Sequence, residues 1–80
     1  MNSNLSGTTR NLMRSIYSED QVTASTMRYL YHLISLVFGC PAGNYYWRFF
    51  EVIELDEGDE VYRPDSDLNH EFQTWVNNLR

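Results

Sequence analysis

The run Tyr45-Tyr46-Trp47-Arg48-Phe49-Phe50-Glu51-Val52-Ile53-Glu54-Leu55 decides the fold, because it reads two ways. As a strand it is rich in the aromatic and β-branched types that suit a pleated, half-buried surface. Alternation then puts Tyr45, Trp47, Phe49, Ile53 and Leu55 on one face and Tyr46, Arg48, Phe50, Val52 and Glu54 on the other, with Glu51 the polar exception on the first. As a helix, Tyr46, Phe49, Phe50 and Ile53 match the i, i+3, i+4, i+7 spacing of an apolar stripe. The residues after Leu55 favour the strand. Asp56-Glu57-Gly58-Asp59 suits a hairpin loop, Glu60 to Arg63 a short returning strand, and Pro64 a stop, since proline has no amide hydrogen for a ladder.

Working outward, the sequence predicts helices on both sides of this hairpin. Leu68, Phe72, Trp75, Val76 and Leu79 recur at helical spacing, with Asp65 or Ser66 as cap and Asp67 in the first turn. Upstream, Ser18-Glu19-Asp20-Gln21 reads as a capping box, with Tyr17 and Val22 as a hydrophobic staple. A long helix is therefore expected from Ser18 to Gly39, and Cys40-Pro41 is expected to stop it, leaving Pro41 to Asn44 as loop. Its stripe is Met27, Leu30, Leu33, Ile34, Val37 and Phe38, widened by Tyr29, Tyr31 and Leu36 until the last two turns are apolar nearly all round. Thr8 to Tyr17 reads as a shorter amphipathic helix, and the polar Met1 to Gly7 as frayed. The expectation is one α+β domain over residues 1–80, in the order α-α-β-β-α, with a two-stranded antiparallel hairpin packed on helices; an all-α bundle is the alternative.

Composition narrows the function classes. A chain of 80 residues supports one modest core, and 42% apolar and 15% aromatic residues exceed what a disordered chain carries. Cys40 is the single cysteine, so neither a disulfide framework nor a paired-cysteine metal site is available. With no basic leader ahead of an apolar stretch and no long apolar run, a cytoplasmic location is expected, the host cytoplasm if the gene is carried by a phage.

Each candidate chemistry meets a simpler reading. Asp65-x-Asp67-x-Asn69-x-Glu71 begins like a calcium loop, but His70 and Val76 stand where Gly and Glu are required, and helix capping accounts for the acids. His70-Glu71 opens a zinc-protease motif that Thr74 breaks. Cys40 with His32 or His70 is a nominal nucleophile and base, but a thiol just beyond a helix C-terminus is disfavoured as a thiolate, so a buried or half-buried structural role is expected. Arg10 and Arg14, one turn apart, could face DNA, yet the next helix carries only Arg28 and opens with two acids. No catalytic residue, metal site or cofactor is expected, and the chain is read as non-enzymatic.

Charge carries the functional expectation. The net charge is −5, all six cations are arginine, and residues 51–71 hold nine carboxylates against Arg63 alone. Such a segment keeps a small protein soluble, and it also imitates the charge spacing of a phosphate backbone. The expected partner-binding residues are Glu51, Glu54, Asp56, Glu57, Asp59, Glu60, Asp65, Asp67 and Glu71, with Tyr45 and Tyr46 as aromatic anchors. The expected partner is a basic, nucleic-acid-binding protein complex that the chain inhibits as a nucleic-acid mimic; direct contact with nucleic acid or membrane is disfavoured. Small acidic inhibitors encoded by phages and other mobile elements, anti-CRISPR proteins among them, share this profile, an association by size and charge alone. The competing expectation is a structural or regulatory interaction module, a homodimer included, assembling through the apolar end of the second helix.

Overall fold

The computed structural model describes residues 3–54 and 60–80. Its elements are α1 (Ser3–Tyr17), β1 (Val22–Thr23), α2 (Ala24–Phe38), α3 (Cys40–Trp47), β2 (Phe50–Glu54), β3 (Glu60–Pro64), a 3-10 turn (Ser66–Leu68) and α4 (Asn69–Asn77). The α+β class and the order α-α-β-β-α hold, with one helix and one strand added. β2 and β3 pair antiparallel as expected, Val52 opposite Tyr62 and Ile53 opposite Val61, and the expected turn at Asp56, Glu57 and Asp59 lies outside the described residues.

Three local expectations are corrected. First, α1 begins at Ser3, so fraying does not extend through Gly7; fully buried Thr9 anchors that end and donates to the Leu5 carbonyl at 2.8 Å. Second, the capping box at Ser18 is not used. Ser18 Oγ turns back to donate to the Ser15 carbonyl at 2.7 Å, closing α1. Val22, only 3% exposed, then pairs with Tyr62 of β3, and the helix starts after Thr23, whose side chain accepts from the Thr26 amide at 3.2 Å. A local cap is worth about 1 kcal/mol, and burying a valine about 1.5–3 kcal/mol in addition to its ladder bonds, so the strand wins.

Third, Cys40-Pro41 begins a helix rather than a loop, and the strand expected from Tyr45 starts only at Phe50. Gly39 has φ of 105°, a conformation that glycine adopts at little cost; its amide closes α2 on the Ser35 carbonyl at 2.9 Å and the chain reverses directly into α3. Pro41 then sits in the first turn of α3, where its missing amide hydrogen costs nothing. α3 packs closely on α2 at Gly43, where a Cβ would come within 2.2 Å of Ser35 Oγ and 2.9 Å of the Tyr31 carbonyl. Backbone proximity is what this helix hairpin requires, and glycine provides it.

The sheet order is β1-β3-β2, with β3 central. One cluster gathers Met13 and Tyr17 of α1, Met27, Leu30 and Ile34 of α2, Tyr46 of α3, Phe49 of the turn after it, Phe50 at the start of β2, and Phe72 and Val76 of α4. Tyr17 stacks on Phe72 at 4.0 Å with ring planes 18° apart and meets Phe50 edge-on at 5.4 Å. Such ring pairs add about 0.5–1.5 kcal/mol beyond burial, and here they tie α1 to both α4 and the sheet.

Candidate functional site

The acidic segment is held in place from several directions. The Tyr17 hydroxyl donates to the main-chain carbonyl of Asp65, and the Asp65 amide donates to the Phe49 carbonyl at 2.9 Å. The Asp65 carboxylate accepts from the Asp67 amide at 3.0 Å, the expected capping role, at the head of the 3-10 turn that leads into α4. Asp67 and Glu71 are exposed on the turn and on α4. Glu60 is exposed at the start of β3 and accepts from the Tyr62 hydroxyl at 3.0 Å. Glu54 lies opposite Glu60 in the strand register, while Asp56, Glu57 and Asp59 lie outside the described residues.

Glu51 is the carboxylate that is neutralised. Its Oε2 accepts from Arg63 Nε at 3.2 Å and Nη2 at 3.1 Å, the only ion pair among the described residues. Glu51 and Arg63 are direct cross-strand partners, so the sheet register makes the pair.

Two carboxylates join this surface that the sequence assigned elsewhere. The turn between α1 and β1 places Glu19 and Asp20 beside Arg63, and a cleft of about 260 Å³ is lined by Tyr17, Glu19, Asp20, Arg63, Ser66 and Asn69. Read as the start of a helix, these two acids belonged to a dipole; the pairing of β1 with β3 moves them next to the acidic segment. A two-residue strand leaves almost no pattern, so the sequence offered no signal for it.

The aromatic anchors separate. Tyr45 is 38% exposed, with the Arg48 guanidinium 5.3 Å from its ring centre and its other contacts to Phe49 and Trp75. Tyr46 is fully buried and donates to the Met13 carbonyl at 3.1 Å. It cannot reach a partner, and the expectation for Tyr46 is corrected: its place on α3 turns it into the core instead of onto a strand face. Burial pushes its phenol well above the ordinary tyrosine range, with Tyr17 adding to the shift. The Tyr17 phenol is pushed up to about 12, by burial first and by the Asp65 carboxylate second. Tyr62 is also raised, by burial and by its bond to Glu60.

The other polar candidates lie apart from this surface. Arg10 donates to the carbonyls of Val76 and Leu79, the latter at 2.7 Å, and lies over the Phe38 ring; Arg14 donates to the Asn77 side chain. The two arginines weighed as a DNA-facing pair are thus engaged at the C-terminal end of α4. Cys40 is exposed at the first position of α3, which corrects the expectation of a buried thiol: the new helix turns it outward. Exposed His32 lies edge-on to Tyr31 at 5.3 Å, and His70 is exposed on α4. Among the described residues no three His, Cys, Asp or Glu side chains gather as metal ligands do, and no helix is long and apolar enough to cross a membrane.

No protein-family model, curated protein or solved structure matches this chain.

Proposed function

We propose that the protein is a non-enzymatic, cytoplasmic inhibitor that occupies the nucleic-acid-binding groove of a basic protein complex with its acidic surface. The observation that supports this reading is the company of Arg63: Glu19, Asp20 and Glu51 approach the one cation of the segment, and Asp67 and Glu71 are exposed on the following turn and helix. Carboxylates held on a sheet register and a capped helix offer a pre-arranged negative field, which speeds encounter with a basic groove and costs little ordering on binding. A phage or mobile-element origin, as for anti-CRISPR proteins, suits that role.

The test is capture from a bacterial lysate with tagged protein, washed at low and high salt and identified by mass spectrometry. A nucleic-acid-binding complex should be retained at low salt, released at high salt, and lost with the Glu19→Gln, Asp20→Asn, Asp67→Asn, Glu71→Gln variant. Retention of the same complex by that variant at high salt overturns the reading.

A further inference from the structure

β2 is the outer strand of the sheet, since the order β1-β3-β2 gives it a partner on one side only. The ladder determines which of its main-chain groups are spent. The Asp65 amide donates to the Phe49 carbonyl at 2.9 Å, so these two residues form a hydrogen-bonded pair. Antiparallel pairs alternate between bonded and non-bonded, which makes Glu51 with Arg63 and Ile53 with Val61 bonded pairs, and Val52 with Tyr62 and Glu54 with Glu60 non-bonded ones. The amides and carbonyls of Val52 and Glu54 therefore point away from β3, to the open side. Phe50-Glu51-Val52-Ile53-Glu54 contains no proline, lysine or bulge, the usual devices that close such an edge to another strand. Val52, in the middle of it, is 50% exposed.

An open edge of this kind recognises an extended backbone, and charge selects whose. Glu54 and Glu60 are direct partners in a non-bonded pair, the kind with the shorter Cα separation, and like charges so placed are unfavourable. A second copy offers no relief, because its β2 carries Glu51 and Glu54 and no cation. A strand with Lys or Arg opposite Glu54 offsets the repulsion. Two positions along that strand, on the same face, a residue falls opposite Val52, and an apolar side chain belongs there. We propose that β2 takes up, by strand addition, an extended segment of another protein in which Lys or Arg lies two residues from an apolar side chain. The proposal rests on the reading of the partner as basic, and adds main-chain pairing as the means of holding it.

The probe is an end-capped heptapeptide of alternating Lys and Val, with a version N-methylated at alternate residues that keeps every charge and loses the amide donors of one edge. Each is titrated into the isotope-labelled full chain and followed by NMR. So short a contact sits at the weak end of specific binding, with half-saturation on the order of 0.1–1 mM. The unmodified peptide should shift the Val52 and Glu54 amide signals most and slow their hydrogen exchange about tenfold at saturation. The methylated peptide should bind about tenfold more weakly. Val52→Pro removes an outward amide and no bond to β3, so it should weaken the unmodified peptide about tenfold with every carboxylate in place. If that variant unfolds, the methylated peptide makes the same comparison on the parent chain. Equal binding of the two peptides, no binding at 5 mM (about tenfold above the expected range), or shifts confined to Glu19, Asp20, Asp67 and Glu71 overturns strand addition and leaves the acidic-groove reading in place. Protection of Val52 by the peptide, with no complex captured from lysate at low salt, supports the edge and overturns the groove reading instead.

Discussion

Arg10 of α1 holds the main-chain carbonyl of Leu79 at 2.7 Å and that of Val76 beside it, so the first helix of the chain supplies the C-terminal cap of the last. The guanidinium adds a charged donor to the Val76 carbonyl, which also takes the Leu79 amide at 3.3 Å, and holds the Leu79 carbonyl just past the helix; its positive charge suits the negative end of the dipole.

Arg10→Ala should therefore destabilise the protein by about 1.5–3 kcal/mol, lowering the melting temperature by roughly 6 °C or more for a domain of this size. Arg10→Lys keeps the charge but not the two-pronged donor and should recover only part of the loss. Thermal melts of the two variants against the parent decide it.

At the α2–α3 contact, Gly43→Ala places a methyl group against Ser35 Oγ and the Tyr31 carbonyl and should cost about 1–3 kcal/mol. Ser35 Oγ is buried with no hydrogen-bond partner among the described residues, so Ser35→Ala alone should be close to neutral. Combined with Gly43→Ala it should restore a measurable part of the stability, because it removes the nearest clashing atom. Urea titrations of the double-mutant cycle measure that coupling.

Alkali should unfold the protein through its tyrosines. Tyr17 is raised from the ordinary value of 10.0 to about 12, and Tyr46 is raised as well. Between these limits the folded state binds more protons than the unfolded state, so the stabilisation is fully present below pH 10 and is lost as pH climbs towards 12. Stability in urea should be level from pH 7 to 9 and fall from pH 10 upward, and the decline should be shallower for Tyr17→Phe. A midpoint independent of pH between 10 and 12 contradicts the assignment.

Arg63→Gln should tighten binding to a basic partner. The change removes the cation paired with Glu51 and frees that carboxylate, while the exposed pair it breaks is worth only about 0.2–1 kcal/mol of stability. An increase of a few-fold in affinity at low salt, fading at high salt, is expected in titration calorimetry with the captured complex.

How much of the molecule was legible in the sequence depends on the range of the forces involved. The periodicity of Leu68, Phe72, Trp75 and Val76 and the cap at Asp65 are local, and α4 and its turn lie where those signals place them. The hairpin was legible from residue types, but its start was not. Aromatic content cannot distinguish a strand from a helix that needs large side chains in the core, and Tyr46 belongs to the second case. The Ser18 box was a valid local signal, overruled by a partner strand forty residues away. The same pairing gathered Glu19 and Asp20 onto the acidic surface, so the part of the site drawn from the 51–71 segment could be read in advance and the part drawn from the turn could not.

The two-residue strand at Val22 and Thr23 also sets the order of events during synthesis. The α2–α3 hairpin is built from neighbouring stretches of chain, so its mutual contacts need nothing made after Trp47. β1 must wait for Val61 and Tyr62, so until β3 has left the ribosome Val22 and the pairing edge of β2 have no partner strand. Until translation passes that point, the chain is a client for chaperones and proteases.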